Sequence, residues 1–104
     1  WEGCHMDYSL LYMKQMYYQV KQAQPAKKII ITETGWPSEG EALGAAEPSY
    51  NNALKYFINA QTWARKEGID LFYFAAFDEA WKVGTEGSVG AFWGLWDKDE
   101  KRKF

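Results

Sequence analysis

Two short blocks of this sequence set carboxylates, tryptophan and a lysine at close spacing. The first is Glu33-Thr-Gly-Trp-Pro37; the second is Asp78-Glu-Ala-Trp-Lys82, with Glu86 four residues beyond Lys82. Carboxylates are the side chains that serve as nucleophile, general acid or general base near neutral pH. In the first block Gly35 frees the backbone, Pro37 stiffens it, and Trp36 offers a flat apolar face of the kind on which the C–H face of a sugar ring packs. In the second, Lys82 can keep a neighbouring carboxylate ionised or donate a hydrogen bond to a hydroxyl. Each block also has a plainer reading. An isolated glutamate at the end of a strand is by default a surface residue, and an exposed Lys–Glu pair stabilises a protein by at most ~1 kcal/mol. Taken together, the blocks describe a carboxylate-lined groove walled by aromatics, with Trp36, Trp81 and Trp93 as candidate walls.

Both blocks follow segments that read as strands buried on both faces. Lys28–Thr34 and Leu71–Phe77 are short, continuously apolar runs, the pattern of a parallel sheet covered by helices. Within the first, Ile29, Ile31 and Glu33 share a face, so Glu33 leaves the strand at its carboxyl end, where functional groups of parallel α/β proteins gather. Met6, Leu10, Met13, Tyr17 and Val20 recur at helical spacing before that strand, with Asp7 or Ser9 as candidate cap and Pro25 as the stop. A second helix opens at Pro48-Ser49, carries Ala53, Tyr56, Phe57, Ala60, Trp63 and Ala64 on one side, and closes at Arg65-Lys-Glu-Gly68. The order helix–strand–helix–strand predicts an α/β fold with parallel neighbours. Two strands and two helices close no barrel and cover no sheet on both faces, so the unit reads as incomplete.

Composition bounds the partners. The chain has 104 residues and a formal net charge of −2, a balance that provides no field for nucleic acid or anionic lipid. It contains no 18-residue apolar run and no signal peptide, and a membrane partner is not expected. It opens on Trp1 rather than Met, as a processed, partial or engineered sequence would. One cysteine, Cys4, excludes an intrachain disulfide; with His5 as the only histidine beside it, a zinc site lacks ligands, and neither metal nor cofactor is expected. The run Lys98–Lys103 reads as a solvated face. Six Trp, seven Tyr and six Phe are more than a domain this small can bury, so part of that surface must face a groove or an absent partner.

The residues now point to a family. Ile31-Thr-Glu-Thr-Gly-Trp-Pro-Ser38 resembles the nucleophile segment of family 17 glycoside hydrolases, the β-1,3-glucanases and related glucanosyltransferases. Phe77-Asp-Glu-Ala-Trp-Lys82, Glu86-Gly-Ser-Val-Gly90 and Trp93-Gly-Leu-Trp-Asp97 resemble that family's last strand and closing loop. The resemblance implies a (β/α)8 TIM barrel, of which this chain would be the carboxyl-terminal third, holding about the last two strands and their preceding helices. It implies Glu33 as nucleophile of a retaining glycosidase acting on β-1,3-glucan, with Glu79, Lys82 and Glu86 in support and Trp36 beside the substrate. It also implies an extracellular or periplasmic protein. The family's acid/base glutamate lies in an Asn-Glu pair that this sequence lacks, so the isolated chain is expected to be inactive. Two further readings stay open: a binding module without catalysis, and a fragment that self-associates or pairs with the rest of its barrel to cover exposed sheet edges.

Overall fold

A computed structural model describes all residues from Trp1 to Phe104. Helix α1 spans Met6–Ala23, strand β1 Ile31–Thr34, helix α2 Tyr50–Glu67 and strand β2 Leu71–Tyr73. A 3-10 turn at Ala80–Lys82, a single helical turn α3 at Val83–Glu86 and another 3-10 turn at Ser88–Ala91 follow. The two strands pair in parallel, Ile31 against Leu71 and Thr34 against Tyr73, with an irregularity between those pairs. The βαβ order expected from the hydropathy pattern is therefore present.

Helix α2 begins and ends on the residues that its sequence offers. The Ser49 side chain accepts the Asn52 N–H at 2.9 Å, and Gly68 stops the helix in the left-handed region at φ 66°, where a residue without Cβ is at ease. Helix α1 departs from expectation. Its cap is His5, whose Nδ1 accepts the Asp7 N–H at 3.1 Å, while Ser9 lies inside the helix and donates back to the Met6 carbonyl at 2.7 Å. Asp7 instead supplies first-turn negative charge and reaches Lys55 of α2 at 3.1 Å.

The core forms where the two helices meet the loop after β1. Met6, Trp36, Ala46, Ala53, Tyr56 and Ala60 are buried together, with Leu10, Met13, Tyr73 and Phe104 packed against them. The strands are shorter than their apolar runs and are not buried on both faces. Strand pairing starts only at Ile31, whose N–H bonds the Asp70 carbonyl at 3.0 Å, and Ile30 and Phe72 lie exposed, the latter at 65%. Phe74 N–H still bonds the Thr34 carbonyl at 2.8 Å, and beyond it the apolar run changes partner. Ala75 N–H bonds the Trp93 carbonyl at 2.9 Å, and Phe77 pairs in parallel with Trp96. Trp96 in turn pairs antiparallel with Arg102, so the last residues fold back as a hairpin.

That hairpin corrects the reading of the charged tail. Lys98 to Arg102 are exposed, but Lys103 turns inward, its side chain 2% exposed, and its ammonium lies 2.6 Å from Asp78 Oδ1. Two bonds force the turn: Asp97 N–H to the Lys101 carbonyl at 2.8 Å, and Lys103 N–H to the Leu95 carbonyl at 3.0 Å.

Candidate active site

Strand alternation sets the direction of Glu33. Thr34 faces the helices, its hydroxyl 2.6 Å from that of Tyr56 and 3.3 Å from the Met13 sulfur. Its neighbour Glu33 is exposed and lines a cleft of about 290 Å³ together with Trp1, Glu2, Phe74 and Trp93, a cleft that Thr34, Tyr56 and residues of α1 also border. The chain beyond it is fixed at once. Gly35, Trp36, Pro37 and Ser38 are all buried, and the Ser38 N–H bonds the Phe92 carbonyl at 2.9 Å. Gly35 is required by a close crossing: a Cβ there would collide with the carbonyl of Phe74.

Trp36 is not a groove wall in this chain. Only 1% of it is exposed; its Nε1 donates to the Glu47 carbonyl at 2.9 Å, its ring is tilted over Tyr56, and it meets Trp1 edge-on at 5.0 Å. The turn at Gly35-Trp-Pro37 drives it into the core rather than toward solvent.

The second block contributes a charged pair on an aromatic base. Lys82 Nζ lies 2.8 Å from Glu79 Oε1, with 4.8 Å to the Phe74 ring centroid and 5.3 Å to that of Trp81. The hydrogen bond that the Lys82 ammonium donates to Glu79 raises its pKa above the ordinary lysine value against an opposing desolvation, and the charges of Glu79, Glu86 and Glu33 add to the rise. Lys82 thus stays cationic and sits in the field of Glu33. Glu86, on α3, is exposed and adds to that field without bonding Lys82. Trp81 projects into solvent, 73% exposed. Trp93 is half-buried: it meets Phe74 at 5.6 Å and Trp1 at 5.9 Å, linking the Glu33 cleft to the Lys82 platform. No three or more His, Cys, Asp or Glu side chains are grouped so as to hold a metal ion.

The structure therefore brings Glu33, Trp93, Glu79 and Lys82 to one end of the two strands, leaves Glu86 and Trp81 at the rim, and removes Trp36 to the core. It adds Phe74, which sequence reasoning assigned to the core. Period-two alternation carries the missing signal: Tyr73 packs on Phe57 of α2 at 4.9 Å, so Phe74 faces the other side with the site. The Glu2 carboxylate, which accepts from the Tyr12 hydroxyl at 3.0 Å, also joins the cleft.

This parallel βαβ unit carries a carboxylate, a lysine and indoles at its strand exits, where parallel α/β proteins place their functional groups. Similarity to known proteins agrees: the BtgE/BtgC glycoside hydrolase domain matches residues 1–94, and the chain belongs to glycoside hydrolase family 17. It is 40% identical over 76 residues to a glucan 1,3-beta-glucosidase of Candida albicans, covering 71% of this chain and 25% of that protein. To the probable family 17 glucosidase SCW4 of Saccharomyces cerevisiae it is 42% identical over 69 residues, 66% of this chain and 17% of that one. Among solved structures it resembles the family 17 beta-1,3-glucanosyltransferase of Rhizomucor miehei, with a TM-score of 0.90 and 35% identity over 99% of this chain and 37% of the other. The chain thus spans about a quarter or less of these curated relatives, and its fold is that of part of a barrel.

Proposed function

We propose that this chain is the carboxyl-terminal third of a (β/α)8 catalytic domain that cleaves β-1,3-glucan with retention of anomeric configuration. In this reading β1 and β2 are the last two barrel strands, and the open face with Ile30 and Phe72 packs against the remainder of the barrel. The observation that carries it is the placement of Glu33: a carboxylate at the exit of a parallel strand, held by a buried turn and facing a cleft with Trp93.

Retention needs two carboxyl groups ~5–5.5 Å apart, one attacking the anomeric carbon and one exchanging a proton with the leaving oxygen. Glu33 is the nucleophile. It forms the glycosyl ester, which water or a second sugar then opens. The acid/base comes from a segment outside this sequence, so the chain alone does not turn over glucan. Lys82, fixed by Glu79 and in the field of Glu86 and Glu33, holds a positive charge on the same side of the site as Glu33. Trp93 and Trp81 supply apolar faces for glucosyl rings, and Trp36 acts beneath the site by holding the turn. A polymeric glucan is met outside the cytoplasm, which fits an extracellular or periplasmic protein. The R. miehei neighbour, named as a glucanosyltransferase, supports a second reading in which a sugar rather than water opens the ester.

Glu33→Gln in the full-length protein tests this directly. Turnover of laminarin should fall by more than about 1000-fold while binding persists. Wild-type turnover in that variant would remove Glu33 from the mechanism.

A further inference from the structure

Lys103 is the most enclosed member of the ion pairs in the molecule, and the proposed chemistry does not use it. Its ammonium reaches two acceptors, Asp78 Oδ1 at 2.6 Å and Ser38 Oγ at 2.9 Å. The same Asp78 oxygen accepts the Gly94 N–H at 2.9 Å, and Ser38 Oγ in turn donates to the Phe92 carbonyl at 3.3 Å. Side-chain exposure is 2% for Lys103 and 8% for Asp78, so water replaces neither partner.

The three segments joined by this ammonium are those that carry the site. Ser38 ends the buried turn that starts two residues after Glu33. Asp78 immediately precedes Glu79, the partner of Lys82. Gly94 follows Trp93, and a Cβ at Gly94 would collide with the backbone at Phe77 and Asp78, so that segment lies directly on the Asp78 strand. A buried ion pair adds little net stability compared with apolar side chains of the same volume; its distinctive contribution, where it has one, is to select a single arrangement of the groups it joins. Here the groups joined are two strand exits and the closing loop, and the lysine comes from the hairpin at the far end of the chain.

We propose that Lys103 is a positioning residue: with Asp78 and Ser38 it locks the Glu33 turn, the Glu79–Lys82 segment and the Trp93 loop into one register. This rests on the assignment of Glu33 and Lys82 to glucan cleavage. Displacement of a reacting group by about 1 Å costs on the order of 100-fold in rate, so loosening the lock lowers kcat more than it raises KM.

The test uses the full-length protein and three variants: Lys103→Met, the neutral pair Asp78→Asn with Lys103→Met, and Lys101→Met as an exposed tail control. Laminarin kcat and KM, the unfolding midpoint, and amide hydrogen exchange of residues 33–40 and 78–82 are read for each. Lys103→Met should lose 10- to 100-fold in kcat with KM changed less than about threefold, and exchange should quicken in both segments together. The neutral pair leaves no unpaired buried charge, so its midpoint should recover toward wild type while kcat stays low; Lys101→Met should match wild type. Recovery of kcat together with the midpoint, or faster exchange confined to residues 95–104, would overturn the proposal and leave a purely structural ion pair. If the wild-type protein does not cleave laminarin, the glucan reading fails alone: joint quickening of the two segments still upholds the lock, and its absence still refutes it.

Discussion

The two strand exits are built in opposite ways. After β1 the chain dives: Gly35 to Ser38 are buried, Trp36 bonds the Glu47 carbonyl, and only Glu33 stays outside. After β2 the chain spreads over the surface in short turns from Ala80 to Ser88, and Trp81 stands 73% exposed. On the proposed reading of Glu33 as nucleophile, the group must meet one carbon along one line, which favours a backbone with no freedom. Groups that supply charge or an apolar face act over a longer range and tolerate a looser support. Close backbone crossings set the order at Gly35 and, against Phe77 and Asp78, at Gly94; the Lys82 platform beyond Asp78 depends instead on side-chain pairing between Glu79, Lys82 and the rings of Phe74 and Trp81.

Substitution at the crossing should therefore be the most damaging. Gly35→Ala puts a methyl group against the Phe74 carbonyl, and neither backbone has room to withdraw without parting β1 from β2. Denaturant unfolding of the full-length protein should register a loss of about 3 kcal/mol or more. Near-wild-type stability would mean that the first exit is as pliable as the second.

The same contrast explains what was legible in the sequence. Helix α2 was clear because its cap, its apolar stripe and its terminal glycine are local signals, and the structure uses all of them. Glu33 and the Glu79–Lys82 pair could be placed because each follows an apolar run that had to be a strand. Trp36 was misjudged because exposure is decided by which way a turn folds, and Gly-Trp-Pro permits either direction; packing against Tyr56 and Trp1 settles it inward. Lys103 was hidden for a related reason. Nothing in Lys98–Lys103 distinguishes its last lysine from the others, and its partner Asp78 lies 25 positions away. The strands are shorter than their apolar runs because such runs report burial in a whole fold, and here Ile30 and Phe72 are exposed.

At the second exit the pairing leaves a signature in alkali. Lys82 binds its proton more tightly in the folded protein than its ordinary value of 10.5, chiefly through the Glu79 hydrogen bond. A raised folded value means that the pair's stabilisation is complete below pH 10.5 and fades as the pH rises through that folded value. Lys82→Met should be less stable than wild type at neutral pH, and the gap should narrow as unfolding is followed into alkali. A gap that stays constant would show that Lys82 contributes through its aliphatic contacts with Phe74 and Trp81 and not through its charge.

The smallest effect on stability belongs to the most exposed indole. Trp81 touches the fold chiefly through Lys82, which lies 5.3 Å from its ring, so Trp81→Ala should leave unfolding within ~0.5 kcal/mol of wild type. Its effect should fall on binding instead. If the ring is a platform for a glucosyl unit, KM for laminarin rises while kcat holds, because a stacking contact made equally in the ground state and the transition state changes only the former. A fall in kcat at unchanged KM would mean that Trp81 acts through Lys82, holding the ammonium over Phe74. The loose exit would then be a precise one, and the difference between the two regions would shrink to how each achieves its order.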